Sequence, residues 1–386
     1  MNQKLSILIV EFQGGGVSRM MINLANGLSE LGTPVDLLLA SADGPFLGGL
    51  DAGVNKVFLG SGQGASTEQQ LADYLRQYRP VVLLSAMLKD HELALAARKL
   101  AGAGAGTRLF FRSGTNYSEE IRTTAFFSRG KRKSRIRSAY LGADEMIAVS
   151  AGVAGGLAAV CGVPVGSIHV LKNPTVTPGL LQRAEEAISH PWFDEHTTPV
   201  VVSVGGLSRR KNFELLIDAV ARVNKQQYCR LSIVGGGQRQ ARLHNRAIKK
   251  GIADRVDLVG FCENPYPYMK QADLTVLSSN REGSPNVLVE SLAVGTPVVS
   301  TDCPSGPREI LDGGRFGRIV PVKNAGAMAE GIIDMLNQPT KTEVMAQAVR
   351  PYQQRLSAVG YLHAFGHTAH LSEQDIKDWR ASLSRD

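Results

Sequence analysis

The sequence predicts an α/β protein built from two doubly wound domains, each a parallel sheet with helices on its faces. Three observations carry this. Short runs rich in Val, Ile and Leu alternate with segments of helical periodicity along the chain. The alternation occurs twice, on either side of a break at 173–178 rich in Pro and β-branched residues. The chain has 386 residues, room for two or three domains and too many for one core.

In the first half the strand candidates are 5–10, 35–40, 81–84, 109–112, 146–149 and 168–171. Between the first two, Val17, Met20, Met21, Leu24, Leu28 and Leu31 recur at helical spacing, and Gly32, Thr33 and Pro34 stop that helix. Strands separated by helices of this length mean βαβ units and a parallel sheet. The second half offers 200–204, 231–234, 256–259, 274–277, 298–300 and 318–320. The expected domains are 1–178 and 179–360, two sheets facing each other across a cleft. Ligands of such sheets bind at the carboxyl ends of the strands, where the strand order reverses.

Composition narrows the class. Hydrophobic residues make up 43% and charged residues 20%, which excludes wholesale disorder. Glycine is abundant, 41 residues, with no collagen-type period, which places it in turns and ligand loops. The segment 101–106 (AGAGAG) reads as one short turn. The net charge of +8 suits phosphate-bearing ligands, anionic lipid or nucleic acid without choosing among them. Cys161, Cys229, Cys262 and Cys303 lie far apart, with no C-x-x-C spacing, as in reduced cytosolic proteins. The apolar run at 5–10 is short for a signal-peptide core, and no run approaches a membrane span. The expected location is cytoplasmic, and any meeting with a membrane is at its surface.

The most informative segment is 281–297 (REGSPNVLVESLAVGTP). Ser284 reads as an N-cap and Pro285 as the first residue of a helix. That helix is apolar nearly all round, hence buried, and Glu290 sits in its middle. A buried carboxylate needs hydrogen-bond donors, and ribose hydroxyls are suitable ones. Glu282 lies in the preceding loop, and the helix N-terminus between the two suits a phosphate. The bland alternative is an Arg281–Glu282 surface pair with Glu290 on a solvated strip.

These residues, with GTPVVSTDCPSG following, resemble the retaining glycosyltransferases of family 4, which have the two-domain GT-B fold of Rossmann-like domains. Their signature of two glutamates with seven residues between is matched by Glu282 and Glu290. The loop at 14–19 is similar to the family's first glycine-rich loop. The stretch 204–212 (VGGLSRRKN) resembles its basic phosphate loop, and 234–237 and 259–261 resemble its nucleotide-side turns. The resemblance implies that Glu290 holds the ribose hydroxyls of a nucleotide sugar. It implies that Glu282 contacts the transferred sugar and that Lys211, with Arg209 or Arg210 beside it, neutralises the diphosphate. Gly283, Ser284, Pro285 and Asn286 would line the donor, as would Gly206, Gly235, Gly236 and Phe261. The helix at about 361–386 would cross back to complete the first domain. Two departures stand out. The family often has Arg where this chain has Gly206. It often has His after the strand that here leads into Arg112, Ser113, Gly114, Thr115 and Asn116. Arg112 and Asn116 are the candidates left on the acceptor side.

Four further features belong here. Residues 208–212, between a strand and a helix at 213–223, read either as a solvated basic turn or as a phosphate loop. Gly14, Gly15 and Gly16 open a helix after a strand, but Arg19 stands where a dinucleotide fingerprint needs glycine. Gly15 and Gly16 fit an acceptor or phosphate loop, and Asp43 is a faint echo of a ribose acid. Between 122 and 137 lie Arg122, Arg129, Lys131, Arg132, Lys133, Arg135 and Arg137, interleaved with Phe126, Phe127 and Ile136. This fits an anionic membrane surface or a solvated face, and nucleic acid less well, for want of a recognition fold. His363, His367 and His370 share one face if helical, a zinc-like spacing that Gly366 weakens.

The expected activity is a retaining transfer of a hexosyl group from a nucleotide diphosphate sugar, such as a UDP-sugar, to a hydroxyl of a lipid-linked or surface-glycan acceptor. A GT-B epimerase and a nicotinamide-dependent dehydrogenase are the alternatives. No Asp-x-Asp motif is present, so neither metal nor cofactor is expected.

Overall fold

The computed structural model describes residues 4–10, 15–41, 47–60, 65–102, 104, 106–195, 197–369 and 371–384. The chain divides into two compact units. Unit 1 is Met1–Thr175 with Pro351–Asp386, and unit 2 is Val176–Arg350.

Among the described residues unit 1 holds seven strands: β1 (Leu5–Ile9), β2 (Val35–Leu39), β3 (Val54–Phe58), β4 (Val82–Ser85), β5 (Arg108–Ser113), β6 (Glu145–Ala148) and β7 (Ile168–Val170). Its helices are α1 (Gly16–Glu30), α2 (Thr67–Tyr78), α3 (Leu88–Ala101), α4 (Tyr117–Thr123), α5 (Phe126–Leu141) and α6 (Ala151–Cys161). In unit 2, α7 (Pro178–Arg183) and α8 (Pro191–Glu195) precede β8 (Val200–Val204), α9 (Phe213–Val223), β9 (Arg230–Val234), α10 (Gln240–Lys249) and β10 (Val256–Gly260). Then come α11 (Tyr266–Gln271), β11 (Leu274–Leu277), α12 (Asn286–Ala293), β12 (Val298–Thr301), α13 (Pro307–Ile310), β13 (Arg318–Val320), α14 (Ala325–Asn337) and α15 (Thr342–Val349). The chain closes in unit 1 with α16 (Gln354–Phe365) and α17 (Glu373–Leu383).

The strand order in unit 1 is β3-β2-β1-β4-β5-β6-β7, and in unit 2 it is β10-β9-β8-β11-β12-β13. Every pairing is parallel. Both faces of such a sheet are covered, which is why β1 and β2 are buried at every position and read as unbroken apolar runs. Helix starts follow local chemistry. The side chains of Ser66, Asn116, Ser150 and Thr177 each accept a backbone N–H of the helix they open.

One strand departs from expectation. β3 was not among the sequence candidates. It lies at the sheet edge, and Asn55, Lys56 and Phe58 face solvent. An edge strand buries one side at most, so its apolar run is broken, and the charged Lys56 guards the edge.

The break at 173–178 falls at the unit boundary, but its first part is pinned. Asn173 and Thr175 are buried, and Asn23 donates through Nδ2 to the Pro174 carbonyl at 2.8 Å. The return into unit 1 starts at Pro351, earlier than position 361. The reason is close helix packing. A Cβ on Gly27 of α1 would stand 3.0 Å from Ala358 Cβ of α16, so glycine lets the two backbones approach.

Candidate active site

In unit 2 the strand order reverses between β8 and β11. The chain runs outward from β8 through β9 to β10, and the other way from β11 through β12 to β13. The loops leaving the carboxyl ends of β8 and β11 therefore part, and the space between them is the natural ligand seat of such a sheet.

These two loops are strapped together. Asn280 donates its backbone N–H to the Arg210 carbonyl at 2.8 Å and its Nδ2 to the Arg209 carbonyl at 3.0 Å. Ser278 Oγ donates to the Lys211 carbonyl at 2.8 Å. Asn212, at φ 50°, donates Nδ2 to Asn280 Oδ1 at 3.2 Å. Asn is among the few residues that adopt that left-handed conformation readily. Three successive carbonyls of the basic loop are thus held by the loop after β11.

The strap brings Glu282 between two cations. Lys211 Nζ donates to Oε1 at 2.8 Å and Arg210 Nη1 to Oε2 at 2.9 Å. Ser279 Oγ donates to Oε1 at 2.7 Å. Burial alone would raise the Glu282 carboxyl. The charges of Lys211 and Arg210, with hydrogen bonds from Lys211 and Ser279, outweigh it and hold the group below the usual carboxylate range. One carboxylate between two cations leaves an excess of positive charge. Glu282 is not a surface group: it is buried against residues of the other loop. Nearby, burial and the Glu282 charge push the Cys303 thiol up to about 12, so it stays a thiol at neutral pH.

Glu290 is buried on α12 among Val287, Leu288, Val289 and Leu292. Side chains of an α-helix lean toward its N-terminus, so a residue on the second turn points back to the helix start. That start is one residue later than Ser284 as cap. Ser284 precedes a proline, which disfavours helical geometry for it, and Pro285 itself has ψ 98° and is the N-cap. The loop after β12 seals this corner. A Cβ on Gly306 would stand 2.5 Å from Pro285 Cδ and 2.9 Å from the Gly283 carbonyl oxygen.

The glycine turns form the other side. Gly205 N–H donates to the Val234 carbonyl at 2.9 Å, Leu207 N–H to Gly236 at 2.9 Å, and Gly235 N–H to Gly260 at 2.7 Å. The ends of β8, β9 and β10 are thereby stitched edge to edge. Gly235 adopts φ 152°, and a Cβ there would stand 2.1 Å from the Gly205 carbonyl oxygen. Gly206 is exposed, and Phe261, beside Gly236, is 79% exposed.

The remaining predicted residues lie elsewhere or do other work. Gly15 caps α1 and Gly16 begins it, both exposed at the end of β1; Gly14 and Asp43 lie outside the described residues. Arg112 is buried on β5, donating Nε to Tyr361 Oη at 3.0 Å and Nη2 to Asn173 Oδ1. It locks the returning α16, so a role in touching acceptor is not supported. Asn116 caps α4 and donates Nδ2 to the Gly152 carbonyl at 3.1 Å, a structural tie between α4 and α6. The histidine face does not form. α16 ends at Phe365 with Gly366 in the left-handed cap, His363 packs on Trp379, and His370 lies outside the described residues. Arg209 is exposed, and among the described residues its guanidinium has no ion-pair partner.

The basic stretch 122–137 spends much of its charge internally. Arg122, Arg132 and Arg135 pair with Glu119, Glu120 and Glu92. Arg129 and Arg137 donate to backbone carbonyls. What projects is two lysines and an apolar tip: Lys131 and Lys133 are exposed, and at the start of α5 Phe126 is 75% and Phe127 96% exposed. Among the described residues no helix is long and apolar enough to cross a membrane, and no three His, Cys, Asp or Glu side chains gather as metal ligands.

The residues missed from sequence are Ser278, Ser279 and Asn280. Their signal was a run of small polar side chains straight after a buried strand, where a surface loop would carry no reason for burial.

Comparisons with known proteins give the family and the fold. Residues 185–351 match the family model for glycosyl transferases group 1, and residues 14–177 match that for glycosyltransferase family 4. Over 136 residues the chain is 39% identical to the N-acetylgalactosamine-N,N'-diacetylbacillosaminyl-diphospho-undecaprenol 4-alpha-N-acetylgalactosaminyltransferase of Campylobacter jejuni, covering 35% of this chain and 37% of the relative. It is 37% identical over 134 residues to the lipopolysaccharide core biosynthesis glycosyltransferase LpsE of Rhizobium meliloti, covering 35% and 38%. The matched region thus spans under two fifths of these curated relatives. In fold, the chain is similar to Anabaena Alr3699/HepE in complex with UDP and glucose, with TM-score 0.69, 20% identity, and 99% of this chain and all of that one covered.

Proposed function

The chain belongs to the group 1, family 4 glycosyltransferases, whose fold is GT-B, and from that premise we propose that it moves a hexosyl group from a nucleotide diphosphate sugar to an acceptor hydroxyl. The observation that carries this is the Lys211–Glu282–Arg210 cluster at the strand-order reversal of unit 2, with the Glu290 helix beside it. A diphosphate brings the negative charge that the cluster's excess positive charge calls for. The N-terminal N–H groups of α12 add donors to the same place. Glu290 is the acceptor for ribose hydroxyls, Glu282 meets the transferred sugar, and Phe261 with Gly235 and Gly236 borders the base.

The chemistry follows from charge. The bond between the sugar's anomeric carbon and the diphosphate oxygen breaks, and cations already in place stabilise the oxygen as it becomes negative. The acceptor oxygen bonds to the same face of that carbon, and its proton passes to the leaving phosphate oxygen. Configuration is retained. Because Lys211 and Arg210 supply the positive charge, the reaction needs no metal.

The donor we favour is a UDP-sugar, supported by a neighbour of like fold that binds UDP and glucose. The acceptor we favour is a polyprenyl-diphosphate-linked or lipopolysaccharide glycan, supported by the names of the two relatives. Peripheral docking on the membrane that holds such an acceptor would use α5, with Phe126 and Phe127 entering the lipid interface and Lys131 and Lys133 beside them.

The test is a transfer assay over a panel of nucleotide sugars, with product configuration read by NMR and EDTA present in half the reactions. Retained configuration and full activity in EDTA are expected. An inverted product overturns the retaining reading, and loss on chelation restored by magnesium overturns the metal-free one.

A further inference from the structure

We infer that Asn280 is a positioning residue for transfer. It acts through Arg210 and Lys211, clasping the backbone that carries them so that both cations are in place before charge develops on the leaving diphosphate. This rests on the nucleotide-sugar reading of the same site.

The need for a clasp comes from the sheet. β8 and β11 are neighbours, but their paired register ends at Val202 and Thr275, although the strands run on to Val204 and Leu277. On its other side β8 stays in register with β9 through Val204. The end of β8 is thus held by the β9 ladder, and the tie to β11 passes largely to side chains. Ser203 Oγ donates to the Val276 carbonyl, and Ser278 Oγ to the Lys211 carbonyl at 2.8 Å.

Asn280 takes hold on both sides of the two cations. Before them, its Nδ2 donates to the Arg209 carbonyl at 3.0 Å. After them, its Oδ1 accepts from Asn212 Nδ2 at 3.2 Å. Between these, its backbone N–H donates to the Arg210 carbonyl at 2.8 Å. A side-chain amide suits this task, having donors and an acceptor on one rigid plane; a carboxylate could not donate to the Arg209 carbonyl. Glu282 holds the head groups of Lys211 and Arg210 at 2.8 and 2.9 Å, and the clasp holds the backbone behind them. With both ends fixed, each cation has little freedom to lose and little distance to travel as the leaving oxygen gains charge. Freed at the backbone, the loop still offers its charges to a bound diphosphate. A small misplacement tells more on the transition state than on binding, so the loss belongs in kcat.

The experiment uses the full chain. Calorimetry with UDP, GDP, ADP and dTDP finds the diphosphate that binds and counts competent sites. Turnover is release of diphosphate from UDP-glucose, UDP-N-acetylgalactosamine, GDP-mannose, ADP-glucose and dTDP-glucose, expressed per competent site so that misfolded chain does not count. Asn280→Ala should keep one site per chain and melt within about 2–4 °C of the wild type, since Asn280 is only half-buried. KM for the donor should stay within about 3-fold, while kcat per site falls roughly 10- to 50-fold, the size of two lost hydrogen bonds. Asn280→Gln, which keeps the amide, should recover part of the loss. The decisive comparison is a cycle with Lys211→Ala: in that background Asn280→Ala should cost under about 3-fold, because the group it positions is gone. An equal loss in both backgrounds, or an unchanged kcat per site, overturns the assignment while leaving the nucleotide-sugar reading intact. A wild-type chain that binds none of the diphosphates and releases none from the donors overturns that reading, and the assignment with it.

Discussion

Replacing Glu282 by Gln should weaken the fold and tighten the grip on free nucleoside diphosphate at the same time. The carboxylate is buried and accepts from Lys211 at 2.8 Å and Arg210 at 2.9 Å, so its removal leaves two cations facing each other. Breaking a buried pair costs about 3–5 kcal/mol. Arg210 is half exposed and the amide oxygen still accepts one hydrogen bond, so about 2–3 kcal/mol is the fitting range here. Unit 2 spans Val176–Arg350, a size at which each kcal/mol moves the melting point by roughly 2–4 °C. A fall of about 4–12 °C follows. For a phosphate about 6 Å away, losing one negative charge is worth about 3 kcal/mol at an effective dielectric constant near 20. Solvent screening at the exposed edge and looser placement of Arg210 reduce this to about 1–2 kcal/mol, or roughly 5- to 30-fold tighter binding. Transfer should nonetheless slow, because the sugar loses its contact. Calorimetric titration and thermal melting read both effects on one sample. A variant that melts like the wild type and binds diphosphate no better would show that the cluster is not the charge centre described.

Other consequences can be checked. Gly235→Ala should destabilise unit 2 by several kcal/mol and abolish nucleotide binding, since its Cβ would stand 2.1 Å from the Gly205 carbonyl oxygen; a normal melting curve would mean the strand ends can part. His91 is buried between Ser85 and Tyr140, and burial lowers it to about 3. The unfolded chain protonates it near pH 6.5 and the folded one does not. Stability should therefore fall with pH between about 6.5 and 3, by up to about 1.4 kcal/mol per pH unit. His91→Gln should flatten that slope, measured by denaturant melts across pH; an unchanged slope would place the titration elsewhere. Binding to vesicles containing phosphatidylglycerol should drop sharply in Phe126→Ser/Phe127→Ser and only modestly when Arg132 and Arg135 become Gln, because those arginines are already paired. Equal binding by the phenylalanine variant would remove the apolar tip from the docking surface.

Much of the fold was legible because parallel strands buried on both faces are plain apolar runs, as at Val200–Val204 and Leu274–Leu277. β3 was not, because an edge strand carries polar residues such as Asn55 and Lys56 that erase the run. Within the site, Glu290 was legible as buried from the apolar helix around it. The partnership of Glu282 with Lys211 and Arg210 was not, since it joins residues about seventy positions apart through a strap whose key side chain, Asn280, looks like any loop asparagine. Arg112 was a candidate on the acceptor side because the family's histidine is missing there. In the fold the returning α16 brings Tyr361 over it from the far end of the chain. Sequence reports chemistry and local pattern, while long-range pairing decides which charge is free to act.

The central claim is that the strand-order reversal of unit 2 seats a nucleotide sugar. It is tested most directly by melting the full chain, and its Glu290→Gln variant, against a panel of nucleotide diphosphate sugars. A ligand that binds only the folded state adds about 2.7 kcal/mol of stability at 100 times its dissociation constant. One member of the panel should raise the wild-type melting point accordingly, and the shift should largely vanish in Glu290→Gln. A panel without any shift, or a shift that survives the replacement undiminished, would contradict the account.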